Sequence, residues 1–287
     1  MSQRKILKLL MALLLLCVGA GYFYIEQSKP HGLQVYYLNV GQGDSVLIRT
    51  PDNQDILIDG GPDKAVLSEL GKYLPFWDRD IELMLLTHPH EDHIAGLIPV
   101  LNQYQVNKIL YNDVAYENNN FAEFEKIIQD KKIDTASFVY GDKINLAPDI
   151  YLESVYPFGN SDLNAIENIN NTSLVSRLVY KENEFIFTGD AEQETEQIIL
   201  DNQINIQADV LKVGHHGSKT ASIEAFLDAV KPSQAVISCG VGNKFKHPHF
   251  ITLYKFQQRD YTIWRTDEDG TVKCEGDGIE INCEKML

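Results

Sequence analysis

The chain has 287 residues, 44% of them hydrophobic, so it can bury a substantial core and is not a disordered protein. Its 25 Lys and Arg against 41 Asp and Glu give a formal net charge of −16. Because residues 1–29 hold four basic residues and one acidic residue, the remainder carries −19. Such a body repels polyanions at long range, which excludes non-specific coating of DNA. A nucleic-acid partner would have to be held by metals or by a confined basic patch.

The N-terminal segment, residues 1–29, predicts a membrane anchor or an export signal. Basic residues precede an apolar run from Ile6 to Ile25 that only Lys8 interrupts. About 20 residues can span a bilayer, whereas the apolar core of a cleaved signal usually has roughly 7 to 15. The aromatic residues at 22–24 favour an uncleaved single-pass anchor, and the small residues at 18–20 leave cleavage and secretion as the alternative. The basic start predicts that the remainder, residues 30–287, lies outside the cytoplasm.

Strand and helix patterns alternate along this remainder, which predicts one α/β domain over residues 30–287. Strands are expected in a hairpin over 33–50 and at 55–59, 81–87, 136–140, 150–156, 174–180, 184–188, 209–213, 234–238, 261–265 and 270–274. Helices are expected at 64–74, 96–103, 121–131, 192–201, 222–230 and 253–260, and a polar loop at 160–171. Two successive blocks of strands with attached helices indicate two packed sheets with helices outside.

The cysteines do not indicate a zinc site, because no two of them have CxxC spacing. Cys17 lies in the apolar run and Cys239 ends a predicted strand. Cys274 and Cys283 flank a turn. An extracellular location would permit a disulfide between them, and two free thiols are the alternative.

Polar residues that can bind metal follow several predicted strands. The segment 88–93 reads His-Pro-His-Glu-Asp-His and comes directly after the strand at 81–87. Asp59, Asp190 and the pair His215-His216 each follow another strand. A turn at a strand end lets side chains two and three residues apart point into one pocket, and imidazole and carboxylate groups are metal ligands. These strand ends therefore predict a metal centre.

The sequence resembles the metallo-β-lactamase superfamily and, within it, the soluble hydrolase domain of ComEC-type competence proteins. The resemblance extends over residues 33–275. It rests on the motifs Asn39-Val-Gly-Gln-Gly-Asp44, Asp59-Gly-Gly, His88-Pro-His-x-Asp-His, Asn171-Thr-Ser, Thr188-Gly-Asp190, Gly214-His-His-Gly-Ser218 and Ser238-Cys-Gly-x-x-Asn243 through His247-Pro. It implies a four-layer αββα fold, preceded here by a single N-terminal apolar helix, and two divalent metal ions, zinc or manganese.

The resemblance also implies a metal-binding role for six residues. One metal is expected at His88 and His90 and the other at Asp92 and His93, with Asp190 bridging them and His215 completing the second site. The wider superfamily supplies a third histidine to the first metal, but this chain has none between His93 and His215. The segment Asn171-Thr-Ser173 stands at that position, which favours a harder metal such as manganese.

Other residues are expected to act on the substrate or to support the ligands. Asp92, Asp190 and His247 are the expected catalytic residues, with His247 donating a proton to the leaving oxygen or binding phosphate. His216 is expected to orient a ligand or the substrate, because adjacent side chains diverge at a strand end. The expected supporting or substrate-contacting residues are Asp59, Asn171, Ser173, His216, Ser218 and Asn243.

These residues predict hydrolysis of a phosphodiester outside the membrane. The ComEC resemblance favours DNA as the substrate and a link to DNA uptake. The acidic body suits a small or end-on substrate, so a cell-envelope phosphodiesterase of the phosphorylcholine-esterase type is an alternative. A non-catalytic, metal-binding partner of a membrane complex is the alternative from a different class. The sequence names no protein partner.

Overall fold

The computed structural model describes residues 3–27 and 32–286. The chain divides into two units, Met1–His31 and Gly32–Leu287. In the first unit, helix α1 spans Gln3–Gln27, and residues 1, 2, 28 and 29 of the predicted anchor lie outside the described residues. Within the described ranges, no helix combines the length and the apolar character that crossing a membrane requires.

The second unit consists of short strands and helices. The strands are β1 (Leu33–Tyr37), β2 (Val46–Arg49), β3 (Asp55–Ile58), β4 (Asp80–Ile81), β5 (Leu83–Leu85), β6 (Gln105–Val106), β7 (Lys108–Leu110), β8 (Asp134–Ala136), β9 (Lys143–Ala147), β10 (Ile150–Tyr156), β11 (Val175–Tyr180), β12 (Asn183–Phe187), β13 (Val210–Lys212), β14 (Gln234–Ile237), β15 (Thr262–Arg265), β16 (Val272–Gly276) and β17 (Ile281–Lys285). The helices are α2 (Ala65–Tyr73), α3 (Glu91–Ile94), α4 (Leu97–Gln103), α5 (Asn119–Lys131), α6 (Gln193–Asp201), α7 (Glu224–Val230), α8 (Phe250–Gln257) and α9 (Thr266–Asp269).

Fifteen strands form two mixed sheets, and β4 and β6 pair as a separate two-stranded sheet. The order in the first sheet is β17-β16-β1-β2-β3-β5-β7-β8, and the order in the second is β15-β14-β13-β12-β11-β10-β9. In the first sheet β3, β5, β7 and β8 run parallel, and in the second β12, β13, β14 and β15 run parallel. The carboxyl ends of parallel strands share one edge of a sheet, so the loops that follow them gather there.

Three hydrophobic clusters define the layers. The first lies between the sheets and combines Tyr37 and Ile58 with Leu178 and Phe185. A second cluster packs helices α2, α4 and α5 on the outer face of the first sheet. A third packs helices α6, α7 and α8 on the outer face of the second sheet. The order is therefore helix, sheet, sheet, helix, and the predicted α/β class with two packed sheets is confirmed.

Several short elements differ from the sequence prediction. Strands β6, β7, β9 and β17 were not predicted, because two to five residues are too few for a clear period and β9 is a largely exposed edge strand. The strand expected at 136–140 lies earlier, as β8, and the helix expected at 253–260 is α8, Phe250–Gln257. Cys274 and Cys283 face each other across β16 and β17 and form a disulfide, which decides between the two alternatives.

Candidate metal centre

The loops after four parallel strands carry the candidate site. Asp59 follows β3, residues 88–93 follow β5, Asp190 follows β12, and the pair at 215 and 216 follows β13. The first two strands belong to one sheet and the last two to the other. The sheets are packed so that all four loops meet at one edge, as the strand-end pattern of the sequence predicted.

Asp190 is the residue on which the imidazoles converge. Its Oδ1 lies 3.4 Å from His93 Nε2, and its Oδ2 lies 3.4 Å from His216 Nε2 and 4.0 Å from His88 Nε2. The side chain is almost fully buried, and the backbone N–H of Asp190 donates to Ser173 Oγ at 3.1 Å. Both carboxylate oxygens thus face imidazole nitrogens, which suits the predicted bridging position.

Among the described residues, the potential ligand atoms form two clusters without shared members and a third group, Asp44, His93 and Asp190, that overlaps both. His88, His90 and Asp190 form the first, and their ligand atoms lie within 4.8 Å of one another. Asp92, His93 and His216 form the second under the same limit, with Asp92 Oδ2 3.3 Å from His216 Nε2. Because Asp190 also lies beside His93 and His216, the two clusters adjoin.

Unpaired polar atoms show that these residues fit metal ions. Among the residues that the structure describes, His88 Nε2, His93 Nε2, His216 Nε2 and Asp190 Oδ1 are buried without a hydrogen-bond partner. Each such atom costs about 1–3 kcal/mol if it remains unpaired. Imidazole nitrogen and carboxylate oxygen are ligands for divalent metals such as zinc and manganese. The donor set therefore fits two divalent cations, and ligation by each residue remains a prediction.

The second cluster contains His216, where the sequence analysis expected His215. His216 Nε2 faces Asp92 and Asp190, whereas His215 Nδ1 lies 2.8 Å from Glu192 Oε1 and its Nε2 is 3.9 Å from Asp190 Oδ2. Both histidines have a left-handed backbone, with φ of 46° and 52°. The divergence of adjacent side chains at a strand end, from which we expected His216 to orient a ligand or the substrate, does not apply to such a backbone. His216 Nε2 therefore lies nearer to the other candidate ligands than His215 Nε2 does, and metal binding by His215 stays a prediction.

The first cluster lacks a third histidine within the described part of the chain, as the sequence indicated. The side chain of Asn171 is engaged at the start of α6. Its Oδ1 accepts from Glu192 N at 3.0 Å and from Thr195 Oγ1 at 3.1 Å, and its Nδ2 donates to Glu194 Oε2 at 3.1 Å. Asn171 therefore supports the segment that follows Asp190.

Asp59 orients His93. Its Oδ2 lies 2.7 Å from His93 Nδ1, and it also accepts from the backbone and hydroxyl of Thr87 at 2.8 and 2.7 Å. Burial lowers the pKa of His93, but the carboxylates of Asp190 and Asp59 outweigh burial and hold that pKa well above its ordinary value. A proton on Nδ1 that faces Asp59 directs Nε2 toward the centre, which is the arrangement that a metal-binding histidine requires.

We expect Asp59→Asn to weaken metal binding about 10- to 100-fold, because an amide cannot replace the charged acceptor of the Nδ1 proton. Competition with a chromophoric chelator measures the affinity. Asp63→Asn is the matched control, since Asp63 is an exposed carboxylate in the same loop. Equal metal affinity in the two variants would contradict the orienting role of Asp59.

Lys212 is a buried residue whose role the sequence analysis missed. It is 1% exposed, its ammonium group contacts the Asp44 carboxylate, and it donates to Gly189 O at 3.0 Å. Asp44 Oδ1 lies 3.2 Å from His216 Nδ1, which also faces Ser238 O at 2.9 Å. Burial raises the pKa of Asp44, but Lys212 and His216 hold it below its ordinary value. The position of Lys212 within an apolar strand could have indicated that it is buried beside an acidic residue, because a buried charge needs a partner.

His247 stands at the mouth of the centre. Its ring centroid lies 5.3 Å from that of His215 and 6.1 Å from that of His216. Asn243 holds its backbone, accepting from His247 N at 2.9 Å and donating to His247 O at 2.6 Å. Burial, followed by the neighbouring histidines, lowers the pKa of His247 to about 4. The ring is therefore neutral near pH 7 and can accept a proton or donate a hydrogen bond to the substrate.

Glu192 and Asn170, which lie beside His215, were not predicted as site residues. Ser218 was predicted and has a structural role. Glu192 Oε1 accepts from Asn170 Nδ2 at 2.9 Å and holds His215 Nδ1. Ser218 Oγ lies 2.9 Å from Thr220 Oγ1, so Ser218 stabilises the loop after the histidine pair. Glu192 lies two residues after Asp190, but no sequence pattern indicated its partner.

A model of the metallo-β-lactamase superfamily matches residues 38–241. The chain belongs to this superfamily. It is similar to ComE operon protein 3 of Bacillus subtilis (strain 168), with 29% identity over 257 residues, which are 84% of this chain and 32% of that protein. Competence protein ComA of Neisseria gonorrhoeae is 27% identical over 263 residues, 90% of this chain and 34% of the relative. The chain thus spans about a third of the length of these relatives.

A solved structure shows the same fold. The metallo-β-lactamase fold protein YhfI from Bacillus subtilis superposes with a TM-score of 0.57 at 13% identity, over 84% of this chain and 99% of YhfI. The resemblance to ComEC-type competence proteins is confirmed by the relatives, and the family together with the His and Asp clusters indicates a metal-dependent hydrolase in general.

Proposed function

We propose that this superfamily member is a binuclear phosphodiesterase that cleaves nucleic acid. The observation that carries the proposal is the position of Asp190 between two adjoining clusters of imidazole and carboxylate atoms. Two divalent cations bound side by side would activate water and neutralise the charge that develops on a phosphoryl group. Paired metals of this kind are common in enzymes that hydrolyse phosphate esters.

The protein's own residues orient the ligands and supply a polar mouth. Asp59 fixes His93, and Asp44 fixes His216 from the opposite side. His247, neutral at pH 7, would donate a hydrogen bond to the phosphate or accept a proton there. Burial raises the pKa of Asp92, but His216 and His93 outweigh burial and hold that pKa well below its ordinary value. Asp92 would therefore serve as a ligand of the second metal and not as a base.

Separate observations support nucleic acid as the substrate and a location of the domain outside the cytoplasm. The name of the gonococcal relative, competence protein ComA, supports nucleic acid as the substrate and a link to DNA uptake. The disulfide between Cys274 and Cys283 suits an oxidising compartment, and the basic residues before Ile6 suit an outward-facing domain. Protease added to intact cells should therefore digest the domain, and digestion only after lysis would reverse this orientation.

The proposal is tested by loading the purified full chain with zinc or manganese and assaying bis(p-nitrophenyl) phosphate and DNA. We expect turnover of both, loss of activity with a chelator and recovery when metal is added back. Asp63→Asn serves as the control variant with normal activity. A chain that binds two metals but cleaves neither substrate would favour the non-catalytic binding protein. Turnover of the small ester and of a teichoic-acid-like polymer, but not of DNA, would favour the cell-envelope enzyme.

A further inference from the structure

Exposed lysine and aromatic side chains border one side of the metal centre. They belong to the loop after β13, the loop after β14 and helix α8. The members, all exposed, are Lys219, Lys244, Phe245, Lys246, Phe250 and Tyr254. We call this set the lysine–aromatic rim.

The rim adjoins the candidate site through rings in contact. Phe245 stacks on His247, with ring centroids 5.6 Å apart and an interplanar angle of 23°. His247 in turn lies 6.1 Å from the ring of His216. The backbone N–H of Lys219 donates to His249 Nδ1 at 3.0 Å, so the two loops are joined beside the centre. A molecule lying on the rim would therefore reach the metal ligands past His247.

The rim is locally basic although the chain is acidic. Between Asp228 and Asp260 the sequence has four lysines, among them Lys244 and Lys246 of the rim, and no acidic residue, whereas Arg259 in this stretch is paired with Asp228 and Glu224. The loop at 111–118 borders the other cluster, where the ring of Tyr116 lies 5.7 Å from that of His90, and this loop carries acidic side chains at 113 and 117 that are exposed. The rim lysines thus attract a polyanion, and the acidic side chains at 113 and 117 repel it on the other side of the centre.

The aromatic side chains give the rim a second recognition element. Phe250 is 78% exposed, Phe245 47% and Tyr254 46%. Phe250 and Tyr254 stack with ring centroids 6.2 Å apart at 28°. Single exposed aromatic residues are ordinary, but lysines interspersed with exposed rings are the combination that binds single strands, because lysines hold phosphates and unpaired bases stack on the rings. A duplex keeps its base faces internal and cannot use the rings.

We propose that the lysine–aromatic rim binds single-stranded nucleic acid and leads it past His247 to the metal centre. Lys219, Lys244 and Lys246 contact phosphates, and bases stack on Phe245 and Phe250. The cleavage that follows rests on the proposed function, whereas binding to the rim does not. An anionic envelope polymer, which has no bases, would use only the lysines.

Fluorescence anisotropy on the metal-loaded full chain tests the proposal. The probes are a phosphorothioate oligothymidylate of about 20 nucleotides, an abasic phosphorothioate strand of the same length and charge, and a duplex. We expect the oligothymidylate to bind roughly tenfold more tightly than the abasic strand and more tightly than the duplex. A Phe245→Ala/Phe250→Ala variant should lose the preference over the abasic strand.

Neutralising the rim lysines should weaken binding of both strands. In Lys219→Gln/Lys244→Gln/Lys246→Gln, the slope of log affinity against log salt should fall by about 0.7 for each phosphate that a lysine no longer neutralises. A control variant that neutralises the exposed Lys126, Lys132 and Lys181, none of which lies in a loop of the site, should bind as the unmodified chain does. Circular dichroism verifies that each variant is folded.

The outcomes separate the two proposals. Equal affinity for the oligothymidylate and the abasic strand, or tighter binding of the duplex, would overturn the single-strand assignment. Equal loss of affinity in the rim and control lysine variants would overturn the location. A strand that binds the rim with the expected preferences but, as an ordinary phosphodiester, is not cleaved would support the rim and contradict the phosphodiesterase. Turnover of the small ester without strand binding would support the phosphodiesterase and contradict the rim.

Discussion

Asp190→Asn is expected to reduce phosphodiester turnover about 10³-fold and to leave fewer than two metal ions per chain. Both carboxylate oxygens of Asp190 face imidazole nitrogens, at 3.4 Å from His93 and His216 and 4.0 Å from His88. An amide keeps the size of the side chain but supplies one neutral oxygen where a bridging carboxylate supplies two charged ones. Elemental analysis and turnover of bis(p-nitrophenyl) phosphate measure the two effects.

The control for this variant is Asp201→Asn, an exposed carboxylate at the end of helix α6. It should retain both metals and normal turnover. An Asp190→Asn protein that kept two metals and full activity would show that Asp190 does not bridge them.

A matched pair of variants, His216→Ala and His215→Ala, is expected to separate the two adjacent histidines. His216→Ala should lose one of the two metals and at least about 100-fold in turnover, since removing a ligand costs at least as much as removing the group that orients it. His215→Ala should keep both metals, because its Nδ1 faces Glu192 and its Nε2 lies 3.9 Å from the nearest Asp190 oxygen. Elemental analysis of the two proteins gives the result directly.

The opposite pattern, with metal lost only in His215→Ala, would support the assignment expected from the sequence. It would mean that the two side chains exchange places when metals bind. Equal loss in both variants would indicate that the loop, and not one side chain, determines metal retention. Thermal unfolding of both proteins identifies that case, because a disrupted loop also lowers the melting temperature.

The placement of the site could be predicted because it depends on local patterns. Apolar runs identify parallel strands, and polar residues just after them must lie at one edge of a sheet. That reasoning brought together Asp59, residues 88–93, Asp190 and the histidine pair. It could not place the two side chains of the pair, because Gly214-His-His-Gly217 leaves the strand with two consecutive left-handed residues, and such a backbone cannot be inferred from alternation.

The partners of the ligands could not be predicted, because they are distant in sequence. Lys212 contacts Asp44, from which it is separated by 168 positions in the sequence, and Glu192 contacts His215, from which it is separated by 23. Nothing in a single sequence specifies which buried charges face each other. The short strands β6 and β7 were missed for a different reason: each has only two or three residues, and its strand conformation depends on pairing with an earlier strand, β4 for β6 and β5 for β7.

The two sheets contribute different candidate ligands to the same centre, so metal binding would affect the stability of the fold. His88 and His93 come from the first sheet, and Asp190 and His216 come from the second. Bound cations would act as a non-covalent cross-link between the sheets at their open edge. They can be captured only after the sheets have packed, so their binding energy is added to the native state alone. At a free metal concentration 100 times the dissociation constant, each ion would add about 2.7 kcal/mol to the free energy of unfolding.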